Sequence, residues 1–304
     1  MRSRISADIV KIILQEVGPR DGLQAEKQIV PLEKKEAWIR ALMDSGVDII
    51  QVGSFVHPEK VPQMAETDEL FRRLMKDKRS ATVLSGLALN EKGVERGLAC
   101  GAEMFYLGAS ASETHSTKNT GVGTAQATQR IIAAAKIAVA AGKKVQVSVQ
   151  SAFGCGFEGP IPEDRVLDMV RSYLEAGLRK ISLADTAGHA TPAQVERLFS
   201  AIFKLDPTVE CACHFHNTYG LGMANIYAAL RVGVTTFDTS FAGLGGCPFA
   251  KVAAGNVATE DFVAALQREG LRKDLDLKGL ITVARDVAAH FGREMPGFVY
   301  KIDS

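Results

Sequence analysis

Two histidines one residue apart, His214 and His216, are the residues in this chain best spaced to do chemistry. The stretch before them, Glu210 to Cys213, reads as a buried strand. Side chains two apart on a strand project from the same face, so both imidazoles reach one point at its carboxyl end. A divalent metal is one reason for that arrangement. The other is a pair of unrelated histidines, one packed and one solvated, and spacing alone leaves the two readings level. Asn217 and Thr218-Tyr219-Gly220 then break the strand with turn residues, which places the pair at a loop mouth.

Eight short apolar, β-branched runs supply candidate strands: Lys11–Glu16, Asp48–Val52, Ala81–Ser85, Met104–Leu107, Lys144–Val149, Lys180–Leu183, Glu210–Phe215 and Thr236–Ser240. Helical stretches lie between them, among them Leu32–Ser45, Leu89–Cys100, Ala125–Ala141, Pro162–Ala176, Pro192–Phe203 and Met223–Val232. Many end in the same punctuation, at Gly46, Gly101, Gly142, Gly177 and Gly233, where a glycine C-cap hands over to the next strand. Eight strands alternating with helices predict an α/β fold with a parallel sheet, closed as a (β/α)8 TIM barrel. The competitor is an open doubly wound sheet. Its Gly-rich dinucleotide loop is missing, because Gly18-Pro19-Arg20-Asp21-Gly22 follows the first strand. Helical patterns at Phe262–Glu269 and Leu277–Phe291 predict extra C-terminal helices beside or beneath the barrel. No linker or low-complexity segment divides the chain, so residues 1–304 are read as one domain.

Composition bounds the partners. Apolar residues make up 46% of the 304 and charged residues 23%, the balance of a water-soluble domain. A net charge of +1 gives no bulk attraction to nucleic acid or to an anionic membrane. Five cysteines, at 100, 155, 211, 213 and 247, form neither an even disulfide set nor a zinc-ribbon spacing, so reduced thiols in a cytoplasm are expected. The N-terminus lacks a signal-peptide core, and no uncharged apolar run reaches the roughly eighteen residues that span a bilayer.

In a barrel of this kind the site forms where strands end. Arg20 and Asp21 follow the first strand; a surface ion pair is their common fate, but beside a His-Phe-His strand Asp21 suits a metal and Arg20 an oxyanion. Gln51 is polar within the apolar second strand and is expected at the barrel mouth. Asp185 ends the sixth strand. His57, His115 and His189 read as loop residues with no metal role. After the eighth strand, Gly243, Gly245 and Gly246 precede Cys247-Pro248, which looks like a mobile lid carrying a reactive thiol. Its glycines also suit a phosphate, and Asn256 offers a neutral oxygen to the histidines.

Together, Val17-Gly18-Pro19-Arg20-Asp21-Gly22-Leu23-Gln24, Ser54-Phe55-Val56 with Val61-Pro62-Gln63-Met64, His214-Phe215-His216, and the run from Gly243 through Cys247-Pro248-Phe249-Ala250 to Asp261 resemble the 3-hydroxy-3-methylglutaryl-CoA (HMG-CoA) lyase family. The resemblance extends from about Ile9 to the end of the barrel, and the cysteine loop is its most specific part. It implies Mg2+ or Mn2+ held by Asp21, His214, His216 and Asn256, with no organic cofactor. It implies that Arg20 holds the oxygen that becomes an enolate, that Cys247 acts from the lid, and that Gly245, Gly246 and Lys27 bind the CoA portion. The implied reaction is retro-aldol cleavage of a 3-hydroxy-3-substituted acyl-CoA to acetyl-CoA and a 3-oxoacid such as acetoacetate, by a homodimer or higher homo-oligomer. A metal would lower the pKa of the tertiary hydroxyl; Asp185 and a metal-bound hydroxide are the candidates for taking its proton.

Two departures stand out. Gln51 replaces the family's usual Glu, and Asn217 replaces the Asp that commonly follows the second histidine. A neutral amide neither accepts a proton nor pairs with Arg20 as an ion. A different acyl-CoA substrate, a condensing synthase on the same barrel, and a barrel kept only for binding are therefore the alternatives to HMG-CoA cleavage.

Overall fold

The structure is a computed structural model, which describes residues 12–246 and 255–302. Eight parallel strands close into a barrel in chain order, with β8 returning to β1. They are β1 (Ile13–Glu16), β2 (Ile49–Ser54), β3 (Val83–Ala88), β4 (Met104–Ser110), β5 (Lys144–Gln150), β6 (Lys180–Asp185), β7 (Glu210–Phe215) and β8 (Thr236–Thr239). All eight expected strands are present, with ends shifted by a few residues. This is the (β/α)8 barrel that the alternation predicted.

The strand sequences place the site by parity. One set of alternate residues, including Ile50 and Val52, Leu84, Phe105 and Leu107, Val147 and Val149, Cys213 and Phe237, joins the apolar shell between sheet and helices. Burying each large apolar side chain contributes roughly 1.5–3 kcal/mol. The other set must then face the lumen, and it is unusually polar: Gln51, Ser85, Tyr106, Ser148, Ser182, His214 and Asp238, all buried. Closing the barrel turns every carboxyl end to the same side, so this polar column opens at one mouth.

The helices between strands are α1 (Leu32–Asp44), α2 (Thr67–Lys76), α3 (Glu91–Cys100), α4 (Glu113–Thr120), α5 (Thr124–Ala140), α6 (Glu163–Glu175), α7 (Pro192–Leu205) and α8 (Gly222–Arg231). The five punctuating glycines all take the left-handed backbone conformation expected of C-caps, for instance Gly101 with φ of 90°. Two helices have no counterpart in the sequence reading. The apolar stripe of α2 is short, Leu70, Phe71 and Leu74 among charges. In α4 there is almost no stripe, and Ser112 starts the helix by capping His115 N at 3.1 Å. His115 is therefore helical rather than a loop residue. Among the described residues no helix is long and apolar enough to cross a membrane.

The tail forms α9 (Thr259–Arg268) and α10 (Leu277–Phe291), which pack beside the barrel: α10 lies against α1 and both reach the turn Phe241–Gly243. Two buried carboxylates fasten this corner. Glu16 accepts from Gly18 N (2.7 Å), Phe241 N (3.0 Å) and the Thr259 hydroxyl (2.6 Å), tying the exits of β1 and β8 to α9. Glu260 accepts from Ala242 N at 3.1 Å.

Burial pushes the Glu16 pKa up to about 7 and that of Glu260 up to about 8, against an ordinary 4.5. Between 4.5 and those raised values the folded chain binds more protons than the unfolded one. Their contribution to stability is therefore full below that window and is lost as pH rises through it. At about 1.4 kcal/mol per unit, each ionisation costs on the order of 3 kcal/mol or more. The thermal unfolding midpoint is expected to fall between about pH 5 and pH 9, and Glu260→Gln, which cannot ionise, to flatten that fall. Unfolding followed by circular dichroism at a series of pH values checks this; an unchanged slope in the variant contradicts it.

Candidate active site

A cavity of about 490 Å3 opens at the carboxyl ends of the strands. Arg20, Asp21, His214 and His216 form one side of it, Tyr106 and Ser148 lie deeper, and Val56, Val61, Leu87 and Leu89 add apolar surface.

After β1 the chain tightens into one π-helical turn, Gly18–Gly22, in which Val17 O accepts from Arg20 N (3.1 Å), Asp21 N (2.7 Å) and Gly22 N (3.3 Å). The turn sets Arg20 and Asp21 side by side, with Arg20 Nη1 2.5 Å from Asp21 Oδ1. Arg20 Nε donates to Gln51 Oε1. An arginine N–H can only donate, so the amide orientation is fixed and Gln51 Nε2 is left without a partner among the described residues. Gln51 has no exposed surface. It faces the barrel lumen behind Arg20, which lines the cavity, and its oxygen meets the guanidinium.

Asp21, His214 and His216 converge, with one ligand atom from each lying within 4.8 Å of the others. Asp21 Oδ2 is 3.8 Å from His214 Nε2 and 3.5 Å from His216 Nε2. The two Nε2 atoms are 3.1 Å apart. His216 Nδ1 faces Thr186 O at 3.0 Å, and a carbonyl only accepts, so Nδ1 carries a proton and Nε2 is the atom turned into the cluster. Burial alone would raise the Asp21 pKa, but Arg20 and the histidines outweigh it and hold the carboxyl well below the usual carboxylate range. Burial would lower the His216 pKa, yet Asp21 turns the shift upward. Asp21 is therefore held as a carboxylate between Arg20 and the two imidazoles.

Asn256 reaches the same cluster. Its Nδ2 donates to Asp21 Oδ2 (2.9 Å) and Leu244 O (3.1 Å), and its Oδ1 is buried and unpartnered among the described residues. Two glycines bring it there. A Cβ on Gly255 would lie 1.7 Å from Gly243 O, and one on Gly245, whose φ is +129°, would lie 2.6 Å from Asn256 Nδ2. The segment is paired to the end of β7 through His216 and Asn256, and Asn217 N donates to Gly255 O at 2.8 Å. Two imidazole nitrogens and a carboxylate oxygen form a mixed N/O set that suits a divalent cation, with the Asn256 amide beside it.

The remaining expected residues separate. Gly246 lines the cavity. Lys27 is exposed and lies outside the lining, two residues beyond Ala25, which belongs to it. Cys247 lies outside the described residues. Asp185 does not face the cavity: it is fully buried, and its two oxygens accept from His189 N (2.8 Å) and Ala190 N (3.0 Å). Its carboxylate holds the β6–α7 connection, which corrects the expectation of a general base. Among the described residues the Asn217 side chain has no hydrogen bond to either histidine; its Oδ1 accepts from Gly222 N at 2.9 Å, at the start of α8. The loss of an Asp there therefore leaves the histidines' own supports intact. Sequence reasoning missed Tyr106, Ser148 and His115, which all line the cavity, and Asp238, whose Oδ2 is 3.2 Å from His214 Nδ1.

A closed (β/α)8 barrel carrying an Asp-His-His cluster and an adjacent arginine at its strand ends defines a class of barrel with a candidate divalent-metal site. The family model described as HMGL-like matches residues 11–287. The chain is 34% identical over 286 residues to the hydroxymethylglutaryl-CoA lyase of Bacillus subtilis, covering 94% of this chain and 95% of that one. It is 37% identical over 283 residues to the 3-hydroxy-3-isohexenylglutaryl-CoA/hydroxymethylglutaryl-CoA lyase of Pseudomonas aeruginosa, covering 93% and 94%. An HMG-CoA lyase from Acinetobacter baumannii, solved in complex with coenzyme A and 3-methylmalate, superposes with a TM-score of 0.91 at 38% identity over 98% of this chain and 96% of that one. This chain belongs to the HMG-CoA lyase family.

Proposed function

We propose that this chain, acting from residue 1 to 304 as one catalytic domain, is a carbon–carbon lyase that cleaves HMG-CoA, or a related 3-hydroxy-3-substituted acyl-CoA, to acetyl-CoA and a 3-oxoacid. The observation that carries this reading is the convergence of Asp21, His214 and His216 beside Arg20 in the barrel mouth of a family member. Asp21, His214, His216 and Asn256 are the proposed ligands, and the family resemblance implies Mg2+ or Mn2+ as the ion. A bound divalent cation would lower the pKa of the substrate's tertiary hydroxyl.

The protein's own groups supply the rest. Transfer of the hydroxyl proton to a general base lets the carbinol carbon become a ketone as its bond to C2 breaks. The electron pair passes to C2 and onto the thioester oxygen as an enolate. Arg20, held by Gln51 and Asp21, puts a fixed positive charge at that oxygen. Cys247 is the proposed donor of the proton that turns the enolate into acetyl-CoA. An acyl-CoA substrate is supported by the coenzyme A bound in the Acinetobacter relative, and Gly245, Gly246 and Lys27 are the proposed contacts for its CoA portion. A homodimer or higher homo-oligomer in the cytoplasm is the proposed assembly.

Gln51 sets the substrate question. Its contact with Arg20 survives the exchange of a carboxylate for an amide, but the charge does not, so among the described residues Arg20 forms its ion pair with Asp21 alone. A panel of branched 3-hydroxyacyl-CoAs tests the proposal on wild type and on Gln51→Glu. Wild type is expected to release a 3-oxoacid from at least one panel member, and Gln51→Glu to shift preference toward HMG-CoA. No product from any member sinks the lyase reading; an identical profile in the variant removes Gln51 as a specificity residue.

A further inference from the structure

Asp238 has no part in the scheme above, yet strand pairing delivers it to the cluster. On β8 it is in register with His214 on β7 and with Gln15 on β1. Its Oδ2 lies 3.2 Å from His214 Nδ1, and the side chain has no exposed surface. Its Oδ1 has no hydrogen-bond partner among the described residues, and no lysine or arginine among them forms an ion pair with it. Burying a carboxylate costs several kcal/mol unless a partner offsets it. Among the described residues, the imidazole of His214 is the one side chain within hydrogen-bond distance of Asp238.

The two histidines are supported unequally. His216 leans on the neutral carbonyl of Thr186, whereas His214 leans on a carboxylate. A carboxylate behind an imidazole fixes its tautomer and ring orientation and makes the far nitrogen a better donor. We infer that Asp238 is a positioning residue for the metal site: it holds His214 in the Nδ1–H tautomer and keeps the Nε2 lone pair aimed at Asp21 and His216. His214 is then the stronger of the two imidazole donors, and the lumen of the barrel, not only its rim, shapes the site. This inference rests on the metal reading of the Asp21, His214 and His216 cluster.

Two measurements test it. Long-range 1H–15N spectra of the cation-free wild type should show His214 protonated at Nδ1. Asp238→Asn should give a mixture of tautomers at His214 and weaken Mn2+ binding, titrated by electron paramagnetic resonance, by about 10–100-fold. His214 protonated at Nε2 in the wild type overturns the inference, and this arm stands even if the variant fails to fold. Mn2+ affinity within about twofold of wild type, with the tautomer kept, also overturns it. A wild type that binds no Mn2+ removes the metal reading instead, and the tautomer spectra still decide whether Asp238 orients His214.

Discussion

His214→Ala is expected to lower divalent-metal affinity and turnover together, each by more than the about 10–100-fold that loss of a supporting residue costs. The substitution deletes one of two imidazole nitrogens that stand 3.1 Å apart and leaves Asp21, His216 and Asn256 to hold the ion. It also strips Asp238 of its contact, so a circular dichroism spectrum matching wild type is needed to show that the loss is local. Mn2+ titration beside steady-state turnover reads both effects. Unchanged affinity and rate would remove His214 as a ligand.

Arg20→Gln is expected to separate the two quantities. The guanidinium lines the cavity and is fixed from two sides, by Gln51 at Nε and by Asp21 at Nη1. A donor held in advance at a developing oxyanion is worth about 10²–10³ in kcat, and that is the loss expected here. Metal affinity should hold or rise, because a positive charge 2.5 Å from the proposed ligand Asp21 is taken away. The outcome that contradicts this role is a proportional fall in metal affinity and kcat, which would make Arg20 a support for Asp21 and nothing more. Paired metal titration and kcat measurement on the same preparation distinguishes the cases.

Strand order and barrel closure were legible because apolar runs and glycine caps recur at a βα period, and all eight runs became strands. The Asp21, His214 and His216 cluster was legible because each residue sits at a strand end, where a parallel barrel must gather them. Asp238 was missed because β8, Thr-Phe-Asp-Thr, is mostly polar, so the rule that picked Gln51 out of apolar β2 finds no contrast there. Asp185 shows the opposite failure. A carboxylate at a strand end looks the same whether it faces the cavity or accepts from the amides four and five residues on, and only the backbone path decides. Helix α4 escaped because Glu113–Thr120 has no apolar stripe; its start depends on the Ser112 cap. His115 therefore arrived at the cavity from an element that periodicity does not reveal.

The central claim, that the strand-end cluster binds the metal on which cleavage depends, is tested most directly by one add-back assay. The protein is stripped with chelator, given HMG-CoA or the best substrate of the panel, and followed for release of the 3-oxoacid before and after Mn2+ is restored. Negligible product without the ion and recovery on its return is the predicted result. Full cleavage by the stripped protein would contradict the account.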